Sequence, residues 1–171
     1  MNTIRADRSG LHDDLDAVEG LAGWLGFPVD DGDLAAFRAL RQALRDLAAV
    51  LTDDTRAIAA GRDLDRAVAA VNDAVRRAVV WPQIGVVDGE LRGHAVTDAS
   101  PADRVLAATA TEAVELFTGA GRLLLRACLA PGCVLYFVQD HPRREWCSPA
   151  CGNRVRAARH YRRVTSRRVG D

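Results

Sequence analysis

All four cysteines of this 171-residue chain fall between positions 128 and 151, as Cys128-x4-Cys133 and then Cys147-x3-Cys151. Two thiol pairs separated by a hairpin-sized insert are how small structural zinc sites are built. The N-terminal stretch MNTIRADRSG has no apolar segment, and no run approaches 18 uninterrupted apolar residues. Neither a secretory signal nor a membrane span is therefore expected, and the expected location is cytoplasmic. Thiols stay reduced there, which disfavours a disulfide pair, and the clustering disfavours inert buried thiols.

Local chemistry around the pairs supports a metal. Pro131-Gly132 supplies a tight turn inside the first pair. The run VLYFV reads as a strand and DHPRR as its return, which places a hairpin between the pairs. Ser148 suits an N-cap and Pro149 a first helical position, so Cys147 flanks a helix and Cys151 lies in its first turn. Partial positive charge at a helix N-terminus favours thiolate there. The expectation is one structural Zn²⁺ held by Cys128, Cys133, Cys147 and Cys151. Four thiolates leave no open position for catalysis. His141 is an alternative ligand but reads as a loop residue, and His160 lies too far along the helix.

Charge is segregated along the chain. Residues 1–127 carry 14 arginines and 20 acids, whereas residues 128–171 carry 9 arginines and 3 acids, with no lysine anywhere. The helix after Cys151 places Arg156, Arg159, Arg163 and Arg167 at spacings of three and four, which makes one face a column of guanidiniums. Arg143 and Arg144 in the preceding loop extend it, and Arg154, just beyond Cys151, is a further candidate contact. Guanidinium groups bind phosphate in bidentate fashion and read guanine edges. A zinc module presenting such a helix is a candidate nucleic-acid reader, DNA before RNA. The competing readings are a solvated face, or pairing with the acidic half. Val155, Ala158, Tyr161 and Val164 form a narrow apolar stripe on the same helix. Trp146, Tyr136, Phe137 and Tyr161 are read as filling the small core around the metal rather than stacking on bases.

The rest of the chain reads as helical. Apolar periodicity predicts a first helix over Asp13–Gly26 and a second from Asp33 to Leu51. It predicts a third from Asp63 with Leu64, Val68, Val71, Val75 and Val79 on one face, closed by Trp81-Pro82. Asp88-Gly89 marks a hairpin. Ser100-Pro101 starts a fourth helix through Phe117, ended by Gly119 and Gly121. The expected fold is mainly α: a helical domain with a short β-hairpin over residues 1–121, and a four-cysteine zinc finger with a basic helix over residues 122–171.

The stretch WCSPACGNRVRAARHYRR resembles the signature of the CGNR zinc-finger family, through Cys151-Gly152-Asn153-Arg154, and Cys128-x4-Cys133 fits that family's first ligand pair. DLAAFRALRQALRDL, VDGEL, TEAVELF and Asn2-Thr3 resemble the helical ABATE domain that precedes such fingers. The resemblance implies a bacterial transcription regulator with a DNA-binding finger, and it carries the four cysteines over as ligands. It also singles out Arg154, either as a phosphate contact or as a brace on hairpin carbonyls. Some members have four residues between the second pair of cysteines, so the local turn differs here. The chain begins almost at the Asn-Thr motif, so the first strand or turn is expected to be short.

The function expected is a zinc-containing, DNA-binding transcription regulator whose basic helix contacts phosphates. The helical domain is left to sense a small-molecule effector or to form a homodimer. The alternative is a zinc-stabilised protein-interaction module. The sequence has no nucleophile–base pair, phosphate loop or open metal site, so no enzymatic role is expected.

Overall fold

The computed structural model describes residues 2–6 and 10–168, with side chains described as far as Arg163. Five helices dominate, interleaved with three two-stranded antiparallel sheets. The first sheet pairs β1 (Ile4–Ala6) with β2 (Leu11–Asp13). The expected first helix therefore starts late: α1 is Val18–Leu25. Asp13 belongs to the strand, where its carboxylate accepts from the Leu15 N–H and pairs with Arg41. Periodicity misplaced this start because three-residue strands leave no pattern of their own.

Helix α2 (Asp31–Leu51) is the organising element. Its start lies slightly before the position expected, because Asp30 accepts from Asp33 N–H and Asp33 accepts from Asp30 N–H in a reciprocal capping box. Leu34, Phe37, Leu40 and Leu44 are buried along one stripe, each stabilising the fold by roughly 1.5–3 kcal/mol. Helix α3 (Leu64–Arg76), capped by Asp63, and helix α4 (Pro101–Thr118), capped by Ser100, pack against it. The α3 face is rotated from the expectation. Ala67, Val71 and Ala74 are buried, whereas Leu64 and Val68 are exposed and Val79 lies beyond the helix. Small alanines let the helix axes approach closely, and an apolar-only count favoured the larger side chains.

Between α3 and α4 runs a hairpin of β3 (Trp81–Val87) and β4 (Glu90–Val96). Asp88 and Gly89 both have positive φ, as the expected two-residue turn requires. Pro82 lies inside β3 rather than after a helix; α3 has already ended at Arg76.

The last sheet corrects the expected finger layout. Strand β5 (Leu125–Ala127) precedes the first cysteine and pairs with β6 (Tyr136–Val138), so the hairpin encloses the Cys128–Cys133 knuckle instead of separating the two cysteine pairs. Helix α5 (Pro149–Arg168) follows, with Ser148 Oγ accepting from the Cys151 N–H.

Candidate metal centre and basic helix

The knuckle is built by local turn chemistry. Gly132 has φ 71°, a region that costs a side-chain-bearing residue energy, and Cys133 N–H closes the turn on Ala130 C=O at 2.9 Å. The second pair comes from the loop before α5 and its first turn. The four Sγ atoms converge to within 4.8 Å of one another. Cys133 and Cys147 Sγ are 3.7 Å apart, and Cys147 and Cys151 Sγ are 3.5 Å apart. A tetrahedron with Zn–S bonds of 2.3 Å has an edge of about 3.8 Å, whereas a disulfide needs about 2.05 Å. The cluster thus fits a four-coordinate ion and does not fit disulfides.

Burial supports the same conclusion. Cys128, Cys133 and Cys151 are buried, and the small core around them adds only Ala130, Phe137 and Val155. Burial pushes the Cys133 thiol up to about 11 and raises Cys147 as well. Burial also opposes ionisation of Cys128, but backbone hydrogen bonds at Cys147 and Ala130 outweigh it and lower that thiol. A cation is what makes four such groups thiolates together. His141 is not in the cluster; its Nδ1 accepts from the Arg143 N–H at 3.0 Å.

Arginines hold the ligand loops. Arg56, from the loop after α2, donates through Nη1 to the carbonyls of Cys128 and Cys133, both at 3.0 Å. Its Nε and Nη2 grip the Asp54 carboxylate at 2.8 and 2.7 Å. Tyr136 donates its hydroxyl to the same carboxylate at 2.6 Å, and its ring lies 4.9 Å from the Arg56 guanidinium and 5.5 Å from that of Arg45. Burial disfavours the Asp54 carboxylate, but Arg56 and Tyr136 more than compensate and hold it at about 2. Burial and that carboxylate push the Tyr136 phenol up to about 12. Arg45 Nη2 bonds the Val134 carbonyl, and Asn2 bonds both the N–H and the C=O of Tyr136. A divalent ion on four thiolates would carry a net charge of about −2, shared with the sulfurs, and the Arg56 guanidinium bonds the backbone carbonyls of two of those cysteines.

The predicted nucleic-acid residues divide into two groups. Arg144 bonds the carbonyls of Trp146 and Cys147 and lies 5.2 Å over the Phe137 ring. Arg154 donates to the Pro131 carbonyl at 2.9 Å, a brace on the knuckle. Arg143, Arg156, Arg159 and Arg163 are exposed, with Arg156 also bonding Asn153. The Arg167 side chain lies outside the described residues. Phe137 lies in the cysteine core and Trp146 packs on it, as expected. Tyr136 is instead buried against Ala48, Ala49, Ala59 and Leu125, and Tyr161, expected in the core, is 72% exposed, so the apolar stripe on α5 fades after Val155.

Residues 124–164 match the family model described as "CGNR zinc finger", and residues 1–120 match the one described as "Putative stress-induced transcription regulator", ABATE. The chain belongs to the ABATE family. No curated protein matches it. In this ABATE protein the four cysteines are positioned to hold a single structural zinc ion. No described helix is long and apolar enough to cross a membrane.

Sequence reasoning missed Arg45, Asp54 and Arg56. Arg45 carried a signal, being a charged residue within the apolar stripe of α2 and 4% exposed in the fold. Asp54 and Arg56 carried none, because, beyond their bond to each other, the partners that matter lie 72 or more residues away.

Proposed function

We propose that this protein is a cytoplasmic, non-catalytic, zinc-dependent DNA-binding regulator. The supporting observation is that the metal module aims an exposed arginine face outward while other arginines hold its frame. Arg156, Arg159 and Arg163 fall within one arc of α5, and Arg143 lies in the loop leading to it. Their contacts are to phosphate oxygens, with the finger's fixed seat on the helical domain setting the direction of approach. Arg144 and Arg154 act indirectly, by keeping the ligand loops in place. The family description of a transcription regulator is consistent with this assignment.

The test is fluorescence anisotropy of the zinc-loaded chain against duplex DNA and single-stranded RNA over a salt series, with a chelated control. The proposal expects zinc-dependent binding to duplex DNA whose log affinity falls with log salt by about 0.9 per phosphate contacted. Stoichiometric zinc with no binding to duplex at low salt refutes it and favours a protein-docking helix.

A further inference from the structure

The β3–β4 hairpin has two unlike faces. The register pairs Pro82 with Ala95, Ile84 with Gly93, and Val86 with Leu91. Directly paired residues project to the same side, so these six make one face without a single polar side chain. All six are exposed, Ile84 at 78%, Val86 at 70% and Leu91 at 77%. The opposite face is mixed: Gln83, Arg92 bonded to Glu90, and His94 lying over Gly85 share it with exposed Val87 and with half-buried Trp81 and Val96 at the base. Alternation of this kind normally puts the apolar side against a core. A lone two-stranded hairpin is at best marginally stable, and its apolar side ordinarily has cover.

Gly93 gives the shape of that cover. Its φ is not in the left-handed region, and a Cβ built on it meets nothing within 4 Å. Nothing inside the protomer requires glycine there, and glycine in a strand weakens it unless another chain approaches closely. With Val80, Trp81, Pro82, His94 and Ala95 it lines an open hollow of about 350 Å³ at the base of the hairpin. Ile84, Val86 and Leu91 form a ridge running toward the tip.

We propose that this ABATE protein forms a two-fold dimer by packing the apolar faces of two β3–β4 hairpins tip to base. An uncharged face with its own ridge and hollow is self-complementary, which an isologous interface demands. The absence of a cation on the face, in a half of the chain rich in acids, argues against polyanions and anionic lipid as occupants. The strands are seven residues long, so the face is about 23 Å by 10 Å. Two such faces bury less than about 1,200 Å², the range of weak and exchangeable complexes. The dimer therefore dissociates on dilution, and it brings two basic helices to one duplex, a role that rests on the DNA-binding function proposed above.

Sedimentation velocity tests this on the zinc-loaded full chain, across two decades of concentration centred on about 10 µM. The wild type passes from monomer to dimer. Ile84→Asp and Gly93→Val weaken the dimer at least tenfold, with zinc stoichiometry and helicity unchanged because both positions are exposed. Gly93→Val is the decisive variant: it fills the hollow yet suits a strand better than glycine, so the monomer keeps or raises its Tm. A wild type that stays monomeric throughout overturns the proposal and assigns the face to a different protein. A dimer that survives either substitution overturns it as well.

Discussion

Replacing Arg56 with Met removes the charge and the donors but keeps a long apolar stem. The Asp54 side chain is fully buried, so the substitution leaves a carboxylate without its cation and with only Tyr136 as partner among the side chains described above. Breaking a buried pair in this way costs about 3–5 kcal/mol. The carbonyls of Cys128 and Cys133 also lose a charged donor. A chain of this size shifts its midpoint by about 2–4 °C per kcal/mol, so Tm falls by roughly 10 °C. Supporting groups of this kind typically change metal affinity by about 10–100-fold. Urea unfolding of the zinc-loaded protein reads the first effect, and competition with a chromophoric chelator reads the second. The double variant with Asp54→Asn separates causes. Its loss is smaller than the sum of the single losses by more than about 1 kcal/mol, because the orphaned charge is gone. Additive losses, together with a zinc affinity within about twofold of the parent, would refute the reasoning that Arg56 ties the metal loops to the helical domain.

Four further outcomes are expected. Chelating the zinc exposes the Arg143–Arg144 bond to trypsin while the packed α2–α3–α4 core stays folded, as a limited digest followed by mass spectrometry checks; the finger's own apolar core is too small to hold without metal. Tyr136→Phe lacks an alkaline transition. With its phenol raised from 10 to about 12 in the fold, Tyr136 contributes stability that is complete below about pH 10 and lost as pH rises through 12, about 2–3 kcal/mol in denaturant titrations of the wild type. Arg154→Ala speeds zinc loss to a chelator but leaves the salt slope of DNA binding unchanged, whereas Arg159→Ala lowers that slope by about one and leaves zinc kinetics alone. Asn2→Ala destabilises by about 1–3 kcal/mol in urea unfolding, since both backbone groups of buried Tyr136 lose their side-chain partner.

The parts legible in the sequence are those set by local rules. The cysteine spacing gave the metal cluster, the apolar stripe gave α2, and Asp88-Gly89 and Ser100-Pro101 gave a turn and a cap. Strands β1, β2, β5 and β6 have three residues each, too few for alternation to register. Their pairing depends on chain geometry, so the hairpin was expected on the wrong side of the knuckle. The α3 face was misjudged because alanine carries little weight in an apolar count yet fills the closest helix contacts. The spacing of arginines marked a basic face but not which of them bond carbonyls, since Arg154 and Arg144 reach acceptors set by the loop fold.

The seat of the finger ties the two family segments into one structure. A four-cysteine module fixes its own knuckle, but a basic helix on a swinging module would meet phosphate in no fixed register. Here Tyr136 closes that freedom. Its backbone is held by Asn2 from the chain start, its hydroxyl by Asp54 from the end of α2, and its ring by the guanidiniums of Arg45 and Arg56. Ala48, Ala49, Ala59 and Leu125 pack around it as a small core joining the helices to the finger. One strand residue thus binds the metal module to three separate parts of the helical domain. Arg56 joins the segment after α2 to the ligand loops, since it bonds both Asp54 and the carbonyls of Cys128 and Cys133.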